Sequence, residues 1–207
     1  MAIAVKKVIV YVDGFNLYFG LRDANFKRFY WLNIKAMAQN LLKGNQQLVV
    51  TKYFTTRISG PSDKRIRQTT FLEALETLSD FEIYYGHYLS KETTCRNCGQ
   101  NWPRFEEKMT DVNIATEMLV DAFGDKFDTA LLISADSDLV RPVETIKKMF
   151  PQKRVIVFFP PNRFSAALKA VADFQLSIGH GLLAKCQFPD KVVKADGYVL
   201  QRPSLWR

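Results

Sequence analysis

Short apolar segments alternate with amphipathic segments along most of this chain, and that alternation limits its fold more than any other feature. The clearest apolar runs are VIVYV at residues 8–12, LVVTKYF at 48–54, ALLIS at 130–134 and VIVFF at 155–159. Between them, segments such as NIKAMAQNLL and TDVNIATEML space their apolar residues three and four positions apart, as a helix does. Strands that alternate with helices predict an α/β fold in which helices cover both faces of a mainly parallel sheet.

The chain is predicted to form one domain with two less regular parts. Its 207 residues suit a single domain. The strand–helix alternation predicts that this domain spans residues 1–184. We expect a Cys-containing loop at 89–109 and, at 185–207, a C-terminal tail without regular elements that packs on the domain. The segment FEIYYGHYLS, residues 81–90, is predicted to be one strand.

The amino-acid composition indicates the cellular compartment of the protein and the charge of its binding partner. Lysine and arginine number 29 against 21 aspartates and glutamates, so the net charge is +8, which favours a polyanionic partner such as RNA. No segment approaches the ~20 apolar residues that a membrane-spanning helix needs. Three cysteines are too few for a disulfide scaffold, which favours a reducing cytoplasm.

Carboxylates follow two of the apolar strands. Asp13 ends the first strand, and Asp136 and Asp138 follow the strand at 128–134. Asp111 begins a helix, on the face that it shares with apolar residues. In an open parallel sheet, ligands bind beyond the carboxyl ends of the strands. A helix cap explains Asp111 or Asp138 singly, but not all four acids. A cluster of oxygen ligands without histidine favours Mg²⁺ or Mn²⁺ over zinc.

Three segments resemble the signature blocks of one family. VYVDGFNLYFGL (10–21), TDVNIATEML (110–119) and LLISADSDLVRPV (131–143) are similar to the blocks of NYN domains, PIN-like ribonucleases of the LabA and DUF88 group. The resemblance covers roughly residues 7–180. It implies a three-layer α/β/α PIN-like fold and metal-dependent cleavage of RNA. The residues that match the family's motifs are Asp13, Asn16, Asp111, Ser134, Asp136 and Asp138.

The chemistry of phosphodiester hydrolysis gives these residues roles. It needs an activated water and a means to offset charge on the phosphate, and one or two metal ions supply both. We expect Asp13, Asp111 and Asp136 to bind the metal directly or through water, and Asp138 to orient a hydrated ion or the attacking water. Asn16 would hold Asp13 or touch the phosphate, unless it only caps the next helix. Ser134 and Ser137 would donate hydrogen bonds to the ligands.

Basic residues after predicted strand ends, together with two in an aromatic segment, are the candidates for binding single-stranded RNA. Lysines and arginines pair with phosphates, and neighbouring aromatic rings stack on bases. In NFKRFYW, residues 25–31, basic and aromatic residues are interleaved, although these rings could instead pack in the core. The candidate residues are Lys27, Arg28, Arg57, Lys64, Arg65, Arg67, Arg141 and Arg163.

Cys95 and Cys98 form a CxxC pair within the predicted loop. A CxxC followed by glycine suits a zinc knuckle, but it supplies only half of a zinc site. Completion would require Cys186 and a histidine, or the same pair from a second chain in a homodimer. The competing interpretation is a pair of thiols without metal, and the incomplete ligand set favours it over zinc.

Two functions from other classes stay open at this point. The first is a nucleic-acid-binding regulatory module without turnover. The second is a metal-dependent phosphatase for small molecules, which is disfavoured because the first strand is not followed by DxDx[TV] and because a small substrate would not need a charge of +8.

Overall fold

The computed structural model describes residues 4–59, 61–94 and 97–207, and within the strands it leaves the side chains of 88–92 and 102–107 undescribed. The strands are β1 Lys6–Asp13, β2 Gln46–Thr55, β3 Phe81–Tyr85, β4 His87–Thr94, β5 Asn101–Lys108, β6 Thr129–Ile133, β7 Arg154–Phe159, β8 Phe174–Ser177, β9 Lys191–Val193 and β10 Val199–Gln201. The helices are α1 Gly14–Asp23, α2 Ile34–Leu41, α3 Ser62–Glu76, α4 Thr110–Phe123, α5 Val140–Met149, α6 Ala166–Val171 and α7 His180–Lys185. Short 3-10 turns occupy Lys27–Phe29, Ser137–Leu139 and Ser204–Trp206.

Six strands form a central sheet in the order β3-β2-β1-β6-β7-β8. Every neighbouring pair in this sheet is parallel, which confirms the predicted α/β class and its parallel sheet. The order reverses between β1 and β6, because the chain adds strands on one side of β1 and then on the other. The carboxyl ends of β1 and β6 therefore flank the switch point where such sheets bind ligands.

Alternate residues of β1 pack into two separate core layers. Val8, Val10 and Val12 pack on one face of the sheet with residues of α1, α2 and α3. Ile9 and Tyr11 pack on the other face with residues of α4, α5 and α6. Because side chains of a strand point alternately to opposite faces, a strand buried on both faces reads as a continuous apolar run. The result is the three-layer α/β/α arrangement that the resemblance implied.

Two local predictions were wrong. The segment 81–90 is not one strand, because it is interrupted at Gly86 and forms β3 and then β4. The segment 89–109 is not a loop, because β4 and β5 pair with each other as an antiparallel hairpin. This hairpin is a sheet of its own beside the central one. The polar sequence of its arms hid the alternation that normally indicates a strand.

The tail also has regular structure that the sequence did not predict. β9 and β10 form a short hairpin, and a 3-10 turn follows at Ser204–Trp206. The indole nitrogen of Trp31 donates a hydrogen bond of 2.8 Å to the carbonyl of Pro189. Trp206 is buried in the same core layer as α1, α2 and α3. The division at residue 184 remains a prediction. In the described part of the chain, no helix is both long and apolar enough to cross a membrane.

Candidate active site at the carboxyl edge of the sheet

Asp13 and the segment after β6 are joined by hydrogen bonds at the switch point. Asp13 is the last residue of β1 and is buried. Its Oδ2 accepts a hydrogen bond of 2.9 Å from the hydroxyl of Ser134, which follows β6. The Ser134 Oγ in turn accepts a bond of 3.0 Å from the backbone N–H of Asp136. Ser134 therefore links the two aspartates that the sequence placed at neighbouring strand ends.

Caps and turns fix the directions of both carboxylates. Asp13 caps α1, because its Oδ1 accepts a bond of 2.9 Å from the backbone N–H of Asn16. Asp136 caps the turn Ser137–Leu139 in the same way, through a bond of 3.0 Å from the N–H of Asp138. The sequence suggested capping for Asp111 or Asp138, whereas the structure gives that role to Asp13 and Asp136. A carboxylate can cap a helix and still offer lone pairs to a ligand.

Asn16 connects helix α1 to the segment after β6. Its side-chain oxygen accepts a hydrogen bond of 3.1 Å from the backbone N–H of Ala135. Asp138 and Ser137 are exposed on the turn that follows. The structure thus brings together Asp13, Asn16, Ser134, Asp136 and, at the solvent side, Asp138.

Asp111 lies on a different element of the same edge. It is half-buried in the first turn of α4, which packs against β1, β2 and the turn Ser137–Leu139. Met109, immediately before this helix, has a left-handed backbone with φ of 80°. Among the residues whose side chains are described, no three acids, histidines or cysteines are grouped so as to hold a metal ion. The role of Asp111 stays a proposal.

Tyr53 was missed by the sequence and lies beside Asp13. It is buried at the carboxyl end of β2, and its burial together with the nearby carboxylate of Asp13 raises the pKa of its phenol well above the ordinary value. A Cβ on Gly14 would lie 2.6 Å from the Tyr53 hydroxyl and 2.7 Å from the carbonyl oxygen of Phe54. Only glycine therefore allows β2 to approach the start of α1 so closely. The Asp-Gly pair was the signal in the sequence, but it could not identify the tyrosine.

We predict that Gly14→Ala destabilises the protein by about 1–3 kcal/mol, the usual cost of forcing extra atoms into a packed site. The matched control is Gly44→Ala, because a Cβ at Gly44 would have no neighbour within 4 Å. Urea denaturation of both variants measures the difference. Equal midpoints for the two variants would contradict this account of Gly14.

A buried ionic cluster holds α4 against the sheet. Lys52 on β2 lies 2.7 Å from carboxylate oxygens of both Glu117 and Asp121 on α4. The hydroxyl of Tyr11 on β1 donates a bond of 2.8 Å to Asp121, which is fully buried. Burial alone would lower the pKa of Lys52, but its bonds to Asp121 and Glu117 outweigh that effect and raise it. A lysine inside an apolar strand was the only signal of this cluster in the sequence.

A cavity of about 420 Å³ opens beside the start of α1. Its walls come from helices α1 and α3, the segment 27–34, the carboxyl end of β2 and the 3-10 turn in the C-terminal tail. Gly14, the residue after Asp13, is part of its lining, as is Tyr53. The cavity therefore adjoins the candidate active site. Its volume is within the usual range of ligand pockets, roughly 300–1,000 Å³.

The predicted RNA-binding residues fall into two groups. Lys27, Lys64 and Arg67 line the cavity. Arg57 and Arg65 line a second, shallower groove on the other side of α3. Arg57, Lys64, Arg65 and Arg67 follow the carboxyl end of β2 along the chain, whereas Lys27 follows α1, and their part in binding RNA stays a prediction.

The three other basic candidates, Arg28, Arg141 and Arg163, contact side chains of the protein itself. Arg163 forms an ion pair of 2.6 Å with Asp23. Arg141 is highly exposed and pairs with Glu144 on α5. Arg28 contacts His180 and stacks on the ring of Phe29.

The cysteine pair lies only partly within the described residues. Cys98 is exposed and has a free thiol, whereas Cys95 is outside the described part of the chain. Cys186 is buried in a core layer, and burial raises the pKa of its thiol. Whether Cys95 and Cys98 bind zinc or are thiols without metal therefore stays a prediction.

Comparison with known proteins identifies the family. A family model described as "NYN domain" matches residues 7–178, which is most of the chain. This chain belongs to the NYN domain family. NYN domains are generally nucleases, so the family implies a nucleic-acid substrate. The match confirms the resemblance that the three sequence blocks carried.

Relatives of this NYN domain differ in what is known of them. This chain is 24% identical to 6-hydroxy-3-succinoylpyridine 3-monooxygenase HspA of Pseudomonas putida, over 87% of this chain and 69% of that protein. It is 25% identical to the uncharacterized protein MJ0482 of Methanocaldococcus jannaschii, over 75% of this chain and 67% of that protein. A crystal structure of a protein of unknown function, VPA0982 from Vibrio parahaemolyticus, has the same fold. The TM-score is 0.60 at 22% identity, covering 87% of this chain and 97% of that one.

Proposed function

We propose that this NYN domain is a metal-dependent ribonuclease that hydrolyses phosphodiester bonds of single-stranded RNA. The observation that carries the proposal is the connection of Asp13 to Asp136 through Ser134 at the switch point of the sheet. One hydroxyl bonds the Asp13 carboxylate and the backbone N–H of Asp136, which supports a preorganised acidic site at adjacent strand ends. The family, which generally comprises nucleases, supports hydrolysis of nucleic acid at that site.

The donor atoms of the site fit a hard divalent ion. The hydrogen-bonded group supplies carboxylate, amide and hydroxyl oxygens, and magnesium and manganese prefer oxygen ligands. A magnesium ion in a phosphoryl-transfer site is usually held by one or two carboxylates, with waters and substrate phosphates in the other positions. Asp13 and Asp136 would hold the ion, and Asp111 and Asp138 would reach it through water. Bound Mg²⁺ or Mn²⁺ would supply activated water and offset the charge on the phosphate.

The protein's own residues would orient the reaction. Ser134 keeps the Asp13 carboxylate in one direction, and Asn16 keeps α1 in register with the segment after β6. Asp138 is exposed next to Asp136 and could accept a proton from the attacking water. The water oxygen would then bond to phosphorus as the bond between phosphorus and the oxygen of the next nucleotide breaks, and that leaving oxygen would take up a proton from solvent. Asn16 and Ser134 act here as positioning residues.

The basic residues beside the site support RNA as the substrate. Lys27, Lys64 and Arg67 lie on the cavity next to Gly14, and Arg57 lies on the adjoining groove. Arg57 also stacks on the ring of Tyr85 at 4.9 Å and lies 3.8 Å from the Glu76 carboxylate at the surface, in the segment that follows β2. Such cations could hold phosphates on both sides of the cleaved bond. The reducing cytoplasm inferred from the low cysteine count is where we place this activity.

We predict that purified protein cleaves labelled single-stranded RNA with added Mg²⁺ or Mn²⁺ and that EDTA stops cleavage. Single-stranded DNA, double-stranded RNA and p-nitrophenyl phosphate serve as comparison substrates, analysed on denaturing gels or by absorbance. RNA that binds without being cut would favour the regulatory module instead. Hydrolysis of p-nitrophenyl phosphate without RNA cleavage would favour the phosphatase.

The name of one relative raises a second candidate function. HspA is called a monooxygenase of a substituted pyridine, a flat ring that carries an acid group. The cavity beside Gly14 has aromatic walls and basic residues, which would also suit such a ring. At 24% identity the substrate is not transferable, so we treat this candidate as a competing outcome of the binding experiment below.

A further inference from the structure

We propose that the cavity beside Gly14 binds the base of the nucleotide that adjoins the cleaved phosphodiester. The choice of a nucleotide as occupant rests on the proposed function. The ligand class itself, a flat aromatic ring attached to an anionic group, follows from the walls of the cavity. The cavity would thus set where along an RNA strand the bond is cut.

Five aromatic rings follow one another around the cavity. Tyr18 and Tyr30 have ring centroids 5.1 Å apart, and Tyr30 and Trp206 are 5.8 Å apart. Trp206 contacts Phe71 at 6.2 Å, and Phe71 contacts Tyr53 at 6.4 Å. All five line the cavity, although they come from α1, the segment after it, the tail, α3 and β2. Rings gathered from five separate elements form a surface on which a base can stack.

Arg22 and Arg67 pair with Asp23 and Asp63, at 3.1 and 2.8 Å, but among the described residues the charged side chains that line the cavity itself are all basic. The described residues that line it include four cations, Arg22, Lys27, Lys64 and Arg67, and they include no carboxylate. A neutral apolar ligand would gain nothing from these cations. A nucleotide would place its ring among the aromatic walls and its phosphates near the basic residues.

The position of the cavity links it to the cleaved bond. Gly14 lines it and is bonded directly to Asp13. Tyr53 forms part of the wall and lies opposite Val12, the neighbour of Asp13, in the pairing of β1 with β2. A base in the cavity therefore brings its own phosphate to the carboxyl ends of β1 and β2, where the acidic site lies.

Gln68 lines the cavity, but both ends of its carboxamide are engaged with the backbone and so are not available to read the edge of a base. Gln68 uses its side-chain oxygen to accept from the N–H of Ile58 and its amide to donate to the carbonyl of Thr56, at 2.8 and 2.9 Å. Recognition would then rely on stacking, whose strength grows with the area of the ring. We expect purines to bind more tightly than pyrimidines, with modest differences overall.

The test is a calorimetric titration of the whole protein in EDTA, so that no divalent ion contributes. The probes are AMP, GMP, CMP and UMP, ribose 5-phosphate as a probe without a base, and 6-hydroxy-3-succinoylpyridine. We expect AMP to bind at least about tenfold more tightly than ribose 5-phosphate, because stacking on aromatic rings carries the affinity. Equal binding of AMP and ribose 5-phosphate would overturn the proposal, and so would binding of the pyridine alone.

Matched variants locate the binding in this cavity. Tyr18→Ala removes a wall residue that is 43% exposed, whereas Tyr198→Ala removes a tyrosine that is 62% exposed and lies outside the cavity. We expect Tyr18→Ala to weaken AMP binding about tenfold and Tyr198→Ala to leave it unchanged. Lys64→Ala, compared with Lys148→Ala on the exposed surface of α5, tests the cation in the same way.

Parallel assays of RNA cleavage separate this proposal from the proposed function. Cleavage of RNA together with AMP binding that is unaffected by Tyr18→Ala would overturn the cavity assignment and leave the ribonuclease standing. AMP binding that depends on Tyr18 without any RNA cleavage would support the cavity and reject the ribonuclease. Folding of each variant is checked by its urea midpoint, which should stay at that of the unmodified protein.

Discussion

Asp13→Asn should abolish metal-dependent RNA cleavage, with a loss of at least about 100-fold, while the protein keeps its fold. The loss is expected because the substitution removes one of the two carboxylates at the reacting centre, which lies at the carboxyl edge of the sheet. The fold should persist because asparagine caps helices as well as aspartate does, so the bond to the N–H of Asn16 can be kept. Asp136→Asn should behave in the same way, since Asp136 also caps a turn.

The matched control for these variants is Asp80→Asn. Asp80 is an exposed residue with a left-handed backbone that precedes β3, at the opposite edge of the sheet from the site. Asparagine tolerates that conformation. The substitution weakens only a surface pair with Lys35 at 3.1 Å, so activity should not change and stability should change by less than about 1 kcal/mol. Cleavage rates and melting temperatures of the three variants decide the matter. Wild-type cleavage by both Asp13→Asn and Asp136→Asn would show that the acidic site is elsewhere.

Lys52→Met should lower the free energy of unfolding by about 3–5 kcal/mol, the usual cost of leaving a buried charge without its partner. The methionine would fit the space, but Asp121 would stay buried. The Tyr11 hydroxyl and the exposed Lys126, at 2.8 and 3.1 Å, would not replace the buried cation. Lys6→Met is the control, because Lys6 is exposed and its pair with Asp128 spans 3.8 Å at the surface. That variant should change stability by less than about 1 kcal/mol. Urea denaturation of both measures the contrast.

The same cluster predicts how stability depends on pH. The folded-state pKa of Lys52 is raised above its ordinary value of 10.5, so its contribution is present below that pH and is lost as pH rises through the folded value. Tyr11 has a raised pKa as well, because of its burial and the adjacent Asp121, and it acts in the same direction. Unfolding free energy should therefore fall at pH above about 10, and Lys52→Met should flatten that fall. An equal fall in both proteins would contradict the assignment.

The parallel sheet and the placement of Asp13 and Asp136 could be predicted because local sequence determines them. An apolar run such as 8–12 is long enough for a strand, and an aspartate that ends it must lie at the edge. The cap of α2 is also determined by local sequence: the side-chain oxygen of Asn33 accepts a hydrogen bond from the N–H of Ala36. The sequence also supplied the family, because its three blocks carry the motif residues in order.

Contacts between distant segments could not be predicted in this way. Ser134 could be seen as a hydroxyl near two acids, but its bond to Asp13 depends on β6 lying beside β1. The aromatic cavity combines Tyr18 with Trp206 from the far end of the chain, and no local pattern connects them. The hairpin β4–β5 was missed because the sequence of its arms is largely polar and because the arms pair with each other as a separate sheet.

The central position of β1 has a consequence for folding during synthesis. β1 is made early and can pair with β2 soon afterwards, but its other edge pairs with β6, where Val12 lies opposite Ile133. Until β6 leaves the ribosome, an apolar strand in the middle of the future sheet has unpaired N–H and C=O groups, and such edges recruit other chains. Sheets built from distant parallel strands also form slowly. We therefore expect nascent chains that stop before residue 129 to depend on chaperones, and the acidic site at the β1–β6 junction to be among the last parts of the protein to form.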